Sequence, residues 1–224
     1  MNDLLSIRLN MVYDAIDPQI AGKGRVIDVG SDHGLLALTC LKNDLTPFCI
    51  CTDIHKMPAE RTLQCLKDHL MGDRSDVFCT DGLQGIELRS NDTVVMAGLG
   101  GNTIMNVIEE VMGRTSSEVL SSVDFVLQPQ KTSDELRVFL AKNGFDIIFE
   151  DTTIDRDLYY HMMKARYTGR SYVLTTLQKY YGPRLLERDD DKVKMFHKHL
   201  DDIYKVRSRG NSELRKLMEE RHVL

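Results

Sequence analysis

The stretch Val26-Ile27-Asp28-Val29-Gly30-Ser31-Asp32-His33-Gly34 decides how this chain reads. An apolar run ends in Asp-Val-Gly, a glycine-bearing turn follows, and residues 35–41 then have helical character. A strand that runs through such a turn into a helix is a nucleotide-type cradle. Gly30 lets the backbone approach a ligand where a Cβ would collide. The glycine spacing is Gly-x-x-x-Gly, not the Gly-x-Gly-x-x-Gly that holds a dinucleotide pyrophosphate. The turn also carries Asp28 and Asp32, which would repel a pyrophosphate. They suit a ligand with a positive or donor-rich end, such as the amino acid moiety of S-adenosylmethionine. The alternative is a plain sheet-to-helix turn with no ligand.

Outward from this loop, short β-rich runs alternate with helical stretches. Strands are expected at residues 25–29, 47–52, 76–79, 93–97 and 123–127. Helices are expected at 35–41, 59–70, 104–112 and 136–140, the last closing on Asn143-Gly144, a C-cap signal. Runs 145–149 and 159–163 can pair as antiparallel strands. Upstream, Leu4, Leu5, Leu9, Val12 and Ile16 fall at helical spacing, with Asp3 as a possible cap and Pro18 as the stop. The pattern predicts an α/β, Rossmann-like fold with a mostly parallel sheet over residues 1–169. Right-handed crossovers put every strand-to-helix loop on one edge of that sheet, where ligands bind.

The loops at that edge carry the remaining candidates. Asp53, followed by Ile54, ends the second strand and can accept both hydroxyls of an adenosine ribose. Asp81-Gly82 follows the third strand; Asp81 can take an adenine amino group or simply shape a turn. The fourth loop, Ala97-Gly98-Leu99-Gly100-Gly101, is bare enough for a flat group to lie against backbone and exposes N–H groups at a helix start. The Asn/Asp-Pro-Pro-aromatic segment of amino-directed nucleic-acid methyltransferases is absent there, which disfavours ordinary exocyclic-amine chemistry. Gln128-Pro129 ends the fifth strand, where the amide can read a base edge or cap the strand. His33 beside Asp32 reads first as a residue that orients the loop and second as a base or proton relay.

Composition bounds these readings. The chain has 224 residues, 42% hydrophobic and 28% charged, enough for a core without disulfides or metals. Five cysteines without a Cys-x-x-Cys, and histidines without ligand spacing, predict buried thiols, no metal and a reducing compartment. No secretory signal and no apolar run near the ~20 residues of a membrane span are visible, so a soluble cytoplasmic protein is expected.

Beyond residue 169 the texture changes. Val193, Phe196, Leu200 and Ile203 form a coiled-coil-like seam, Gly210-Asn211 interrupts it, and Ser212 can cap a second helix with Leu214, Leu217 and Met218. A C-terminal helical hairpin over 170–224 is expected, with a first helix from Pro183 to Ser208 of roughly 40 Å. The seam can pack within the chain, as a monomer requires, or pair two chains. The net charge of −5 divides as −9 for residues 1–169 and +4 for 170–224. Arg184, Arg188, Lys192, Lys198 and Lys205 lie along the tail, either as a solvated mixed-charge face or as a grip on phosphates.

With these loops assembled, the chain resembles the bacterial tRNA (adenine-N1)-methyltransferases that modify adenine 22, the TrmK family. The carrying segments are Leu5-Ser6-Ile7-Arg8-Leu9, Asp28-Val29-Gly30-Ser31-Asp32-His33-Gly34, Asp81-Gly82-Leu83 and Ala97-Gly98-Leu99-Gly100-Gly101. Leu127-Gln128-Pro129, Leu136-Arg137, Asn143-Gly144 and Tyr181-Gly182-Pro183-Arg184-Leu185-Leu186 continue the match along essentially the whole chain. His55-Lys56-Met57-Pro58, Gln130 and Tyr160-His161 depart from the usual pattern.

The resemblance implies a class I methyltransferase with S-adenosylmethionine as donor and tRNA as acceptor. By position, Gly30, Ser31, Asp32, His33 and Gly34 would hold the methionine end, Asp53 and Ile54 the ribose, and Asp81 and Gly82 the adenine. Asp28, Ala97 and Gly98 would also border the cofactor; Gly98, Gly100 and Gly101, with Gln128, Pro129 and Asp32, would serve the target base, and Arg8 and the tail cations the RNA. Rival classes are a methyltransferase for another RNA, a protein or a small molecule, a non-catalytic RNA-binding protein, and a nicotinamide dehydrogenase; the missing dinucleotide fingerprint weakens the last.

Overall fold

The computed structural model describes residues 4–223. Its strands are β1 (Arg25–Val29), β2 (Phe48–Asp53), β3 (Ser75–Cys79), β4 (Thr93–Leu99), β5 (Asp124–Pro129), β6 (Phe145–Asp155) and β7 (Leu158–Tyr167). They form one sheet ordered β3-β2-β1-β4-β5-β7-β6. The first five run parallel, and β7 is antiparallel to both its neighbours. The helices are α1 (Ile7–Asp14), α2 (Pro18–Ala21), α3 (Leu35–Lys42), α4 (Lys56–Asp68), α5 (Gly101–Met112), α6 (Ser117–Leu120), α7 (Ser133–Lys142), α8 (Thr176–Tyr181), α9 (Asp191–Arg207) and α10 (Ser212–Glu220).

The central strands bury both faces, as parallel strands covered by helices must. Successive residues alternate between two cores. Ile27, Val94, Met96, Phe125 and Leu127 meet α5, α6 and α7 on one face. Val26, Val95 and Val126 meet α1, α2, α3 and α4 on the other, together with Cys40, Cys49 and Cys51. Burial pushes these three thiols up, so they serve as small apolar side chains. The strand order reverses between β1 and β4, and the crevice at their carboxyl ends is the expected ligand position.

Two local expectations shift. Ser6 caps α1 by accepting the Leu9 N–H, and Asp3 lies outside the described residues. Pro18 opens α2 behind the Asp17 cap instead of ending α1; its missing N–H costs nothing at that first position.

The tail corrects a larger one. No helix spans 183–208; α9 begins at Asp191, behind the Asp190 cap that accepts the Val193 N–H. Three consecutive aspartates, Asp189 to Asp191, favour a helix start there through the helix dipole. The 17 residues of α9 span about 25 Å. Asn211, not Ser212, caps α10 by accepting the Leu214 N–H. Helices α8, α9 and α10 share a small core of Tyr180, Tyr181, Tyr204, Leu214, Leu217 and Met218. Leu185, Val193 and Phe196 form a second cluster that reaches Tyr159 on β7.

The tail is fastened to the sheet by a buried pair. Arg137 on α7 donates to Glu150 on β6 at 2.9 Å, with side chains 1% and 0% exposed. The other Glu150 oxygen accepts the Arg184 backbone N–H at 2.9 Å.

Candidate functional site

The loop after β1 is held from two sides. Gly30 and Ser31 donate their N–H groups to the Thr52 carbonyl at 2.8 and 3.1 Å. Thr62 on α4 donates to the Asp32 carbonyl and meets the Ser31 hydroxyl, both at 3.1 Å. Nothing in the sequence marked Thr62; it falls between Ala59 and Leu66 on the buried stripe of α4. Gly34 starts α3 without a side-chain cap, so the first helical N–H groups stay unclaimed by side chains.

The carboxylates of this region differ in environment. Asp28 is buried, and burial together with the nearby Asp53 carboxylate pushes its pKa up to about 7. Asp32 is 57% exposed, pairs with Arg61 at 2.6 Å, and lies 3.5 Å from His33. His33 is itself exposed.

Beside this loop lies a cleft of about 290 Å³ at the ends of β1, β2 and β3. Gly30, Asp53, Ile54, Asp81 and Gly82 line it, five of the residues expected from the sequence. Asp53 is buried and accepts the His55 N–H at 2.9 Å, which fixes its carboxylate at the strand end. The Thr52 hydroxyl donates to the Gly82 carbonyl at 2.8 Å and draws the third loop against β2.

Leu99 and Val107 close the cleft from the apolar side. A Cβ on Gly30, whose φ is +77°, would stand 3.1 Å from the Leu99 side chain. Two carboxylates and no lysine or arginine line this cleft. That donor set fits a neutral nucleoside joined to a cationic group and rejects a pyrophosphate. Asp28, Ser31, Asp32, His33, Gly34, Ala97 and Gly98 are outside its lining.

The fourth loop is shaped by a bulge. The β4–β5 ladder shifts register between Ala97 and Leu99, with Gly98 at φ +81°. The Gly98 N–H donates to Gln128 Oε1 at 3.1 Å, and Arg8 Nη1 donates to the same oxygen at 2.7 Å. Gln128 Nε2 donates to the Pro129 carbonyl at 3.2 Å. Gln128 is buried, and both its amide oxygen and its amide nitrogen are hydrogen-bonded within the chain. It braces the glycine loop from beneath, joining α1 to the end of β5. Gly100 begins α5, and Gly101 donates to the Lys131 carbonyl at 3.1 Å, docking the loop on the segment after Pro129.

The expected RNA contacts divide. Arg8 belongs to the wall of this site, against Gln128 and 5.7 Å from the centre of the Tyr160 ring. Arg184 donates to Glu187 and to the Ile147 carbonyl. Arg188 bridges Asp190 and Asp151, and Lys192 also holds Asp151. These three cations help fasten the tail to β6 and are already paired with carboxylates. Lys198 and Lys205 are exposed and make no ion pair among the described residues.

Among the described residues no group of three or more His, Cys, Asp or Glu could hold a metal, and no helix is long and apolar enough to cross a membrane.

Comparisons with known proteins agree with this geometry. A Mycoplasma genitalium protein named "Putative tRNA methyltransferase MG248" is 30% identical over 174 residues, 77% of this chain and 75% of that protein. The structure of Streptococcus pneumoniae Sp1610 in complex with S-adenosyl-L-methionine, described as "a putative tRNA (m1A22) methyltransferase", superposes with a TM-score of 0.80 at 21% identity, covering 98% of this chain and 99% of that one. The B. subtilis M1A22 tRNA methyltransferase TrmK superposes at 0.78, with 21% identity, 98% of this chain and 96% of the other. At such identity these two structures establish a shared fold. A family model described as a methyltransferase domain matches residues 5–163. Its span covers the carboxylate cleft and the glycine bulge together, and the chain belongs to the methyltransferase-domain family.

Proposed function

We propose that this protein is an S-adenosylmethionine-dependent tRNA methyltransferase that methylates N1 of adenine 22. The observation that carries the reading is the cation-free cleft lined by Asp53 and Asp81, set beside the Gly98 bulge. Asp53 would accept the ribose hydroxyls and Asp81 the adenine amino group. The turn from Gly30 to Gly34, with Asp28 behind it, would face the amino acid end. When bound, S-adenosylmethionine supplies an electrophilic methyl group on a sulfonium. The S. pneumoniae structure, in complex with S-adenosyl-L-methionine, supports this cofactor, and the S. pneumoniae and B. subtilis proteins support a tRNA substrate.

The acceptor N1 has an in-plane lone pair and no proton at neutral pH, so the chain needs no general base. Its contribution is alignment: the Gly98–Gln128–Arg8 bonds hold the loop against which the base lies. N1 lies on the Watson–Crick edge, so the adenine must leave its pairing and stacking first. Asp32 offers a negative charge for the cationic product ring, shared with Arg61. Residues 170–224 form the RNA-binding part, with Lys198 and Lys205 among its unpaired cations; the protein works as a monomer in the cytoplasm.

The test is incubation of unmodified tRNA with labelled S-adenosylmethionine, followed by nucleotide mapping with mass spectrometry. The expected product is N1-methyladenosine at position 22. Label that enters protein or small molecules but not RNA overturns the reading. Asp32→Ala should abolish methylation and leave tRNA affinity largely intact.

A further inference from the structure

A second, larger cavity of about 380 Å³ opens on the same edge of the sheet, between the segment after β5, the start of β7 and helix α9. It is separate from the cofactor cleft; the two share no lining residue. Its walls are aromatic. Tyr159 of β7 stacks on His199 of α9, with ring centres 4.2 Å apart and planes 14° off parallel. His161 stacks on Phe196 at 5.6 Å. Leu158 and Ile203, both exposed large apolar side chains, stand at its margin.

Three polar features belong to the lining of this cavity. His161 is only 8% exposed, yet its Nε2 has no hydrogen-bond partner among the described residues. Burial, reinforced by Arg137, pushes its pKa down to about 3, so the ring is neutral and offers an acceptor or a donor according to its tautomer. An orphaned buried polar atom is costly unless something completes it. Next, the N-terminus of α7 lines the cavity through Thr132, Ser133 and Asp134, and that helix has no side-chain cap. Asp134 there is neutralised by Arg207 at 3.0 Å. Lys131 stands exposed at the rim. A flat ring with polar edges, attached to an anion, matches stacked aromatics, an unpartnered imidazole nitrogen and an open helix N-terminus.

The cavity is also connected to the methyl-transfer loop. Its wall residue Tyr160 lies under the Arg8 guanidinium, which donates to Gln128, which accepts from Gly98. Pro129, the next residue, lines the cavity itself. Resting on the tRNA reading above, we infer that this cavity is a second nucleotide subsite, taking an unpaired nucleotide of the RNA other than the one that is methylated. Its base stacks against the Tyr159–His199 wall and bonds His161, and its phosphate meets the start of α7.

The experiment measures equilibrium binding of unmodified tRNA transcripts in which nucleotides near the target adenine are made abasic one at a time. One abasic position should weaken binding to the wild-type protein by about tenfold. Tyr159→Ala should bind the intact transcript about tenfold more weakly and lose its response to that abasic position, whereas Tyr159→Phe should keep both. S-adenosylmethionine affinity by calorimetry should be unchanged in each variant. His161→Phe removes the orphaned nitrogen and keeps a ring; it should melt at higher temperature and bind tRNA more weakly. If no abasic position weakens wild-type binding, if the effects of abasic site and Tyr159→Ala simply multiply, or if His161→Phe binds tRNA as tightly as the wild type, the subsite is overturned. Self-association abolished by Tyr159→Ala would overturn it in favour of a second copy. Failure of the wild-type protein to bind any tRNA overturns instead the reading beneath it.

Discussion

Arg8 Nη1 and the Gly98 N–H both donate to Oε1 of Gln128, at 2.7 and 3.1 Å. One buried amide oxygen thereby links the first helix, the bulged glycine loop and the end of β5. Gln128→Ala leaves two donors without their acceptor, at about 1–3 kcal/mol for each one that stays buried. It should cut the methyl-transfer rate constant by about a hundredfold, because the loop loses its register. Gln128→Glu keeps an acceptor oxygen and should retain most of the rate. Steady-state kinetics with separate kcat and KM for tRNA checks this; equal losses in the two variants would sink the strut assignment.

Asp28 holds its proton to about pH 7 because it is buried beside Asp53. An unfolded chain releases that proton near pH 4. Between these values the folded state binds more protons than the unfolded one, so this group's contribution falls as pH rises to about 7 and is constant above it. A cationic ligand beside Asp28 favours the ionised form. S-adenosylmethionine affinity should therefore rise with pH up to about 7, with proton release on binding below that. Calorimetry in two buffers of different ionisation enthalpy checks this, and Asp28→Asn should remove the pH dependence.

Arg137 and Glu150 form a pair with almost no solvent contact. Breaking it with Glu150→Ala leaves a buried guanidinium and an unpartnered Arg184 N–H; the expected loss is about 3–5 kcal/mol in urea denaturation. Arg137→Met combined with Glu150→Leu should recover most of it. A double variant as unstable as Glu150→Ala would contradict this account.

Tail cations should separate into two kinds. Lys198→Glu with Lys205→Glu should weaken tRNA binding and flatten its dependence on salt, without altering S-adenosylmethionine affinity. Arg188→Ala, which removes bonds to Asp151, Asp190 and the Glu150 carbonyl, should instead lower thermal stability and leave the salt slope nearly unchanged. Binding titrations across salt concentrations and thermal melts distinguish the two.

The nine-residue stretch at Val26 to Gly34 was legible because strand, turn and helix signals are local. The β-rich runs and the positions of Asp53, Asp81 and Gly98 followed from the same short-range logic, and right-handed crossovers put their loops on one edge. In the tail the decisive forces are not local. The apolar spacing of residues 193–203 is helical, but whether the helix extends back to Pro183 depends on Glu150 drawing Arg184 to β6 and on Arg188 and Lys192 reaching Asp151. Those partners lie 34 to 41 residues away in the chain.

By itself, then, the sequence determined the alternation of strands and helices, the glycine loops and which carboxylates end the strands, since each depends on neighbouring residues and backbone geometry. Only the tertiary structure decided which charges are free and which amides are spent. A lysine or glutamine has the same chemistry anywhere in a sequence, and its availability is set by what folding brings within hydrogen-bond reach. The −5 total and its basic tail were visible from the start; that Arg188 and Lys192 meet Asp151 while Lys198 and Lys205 make no ion pair among the described residues emerged only when the tail packed on β6.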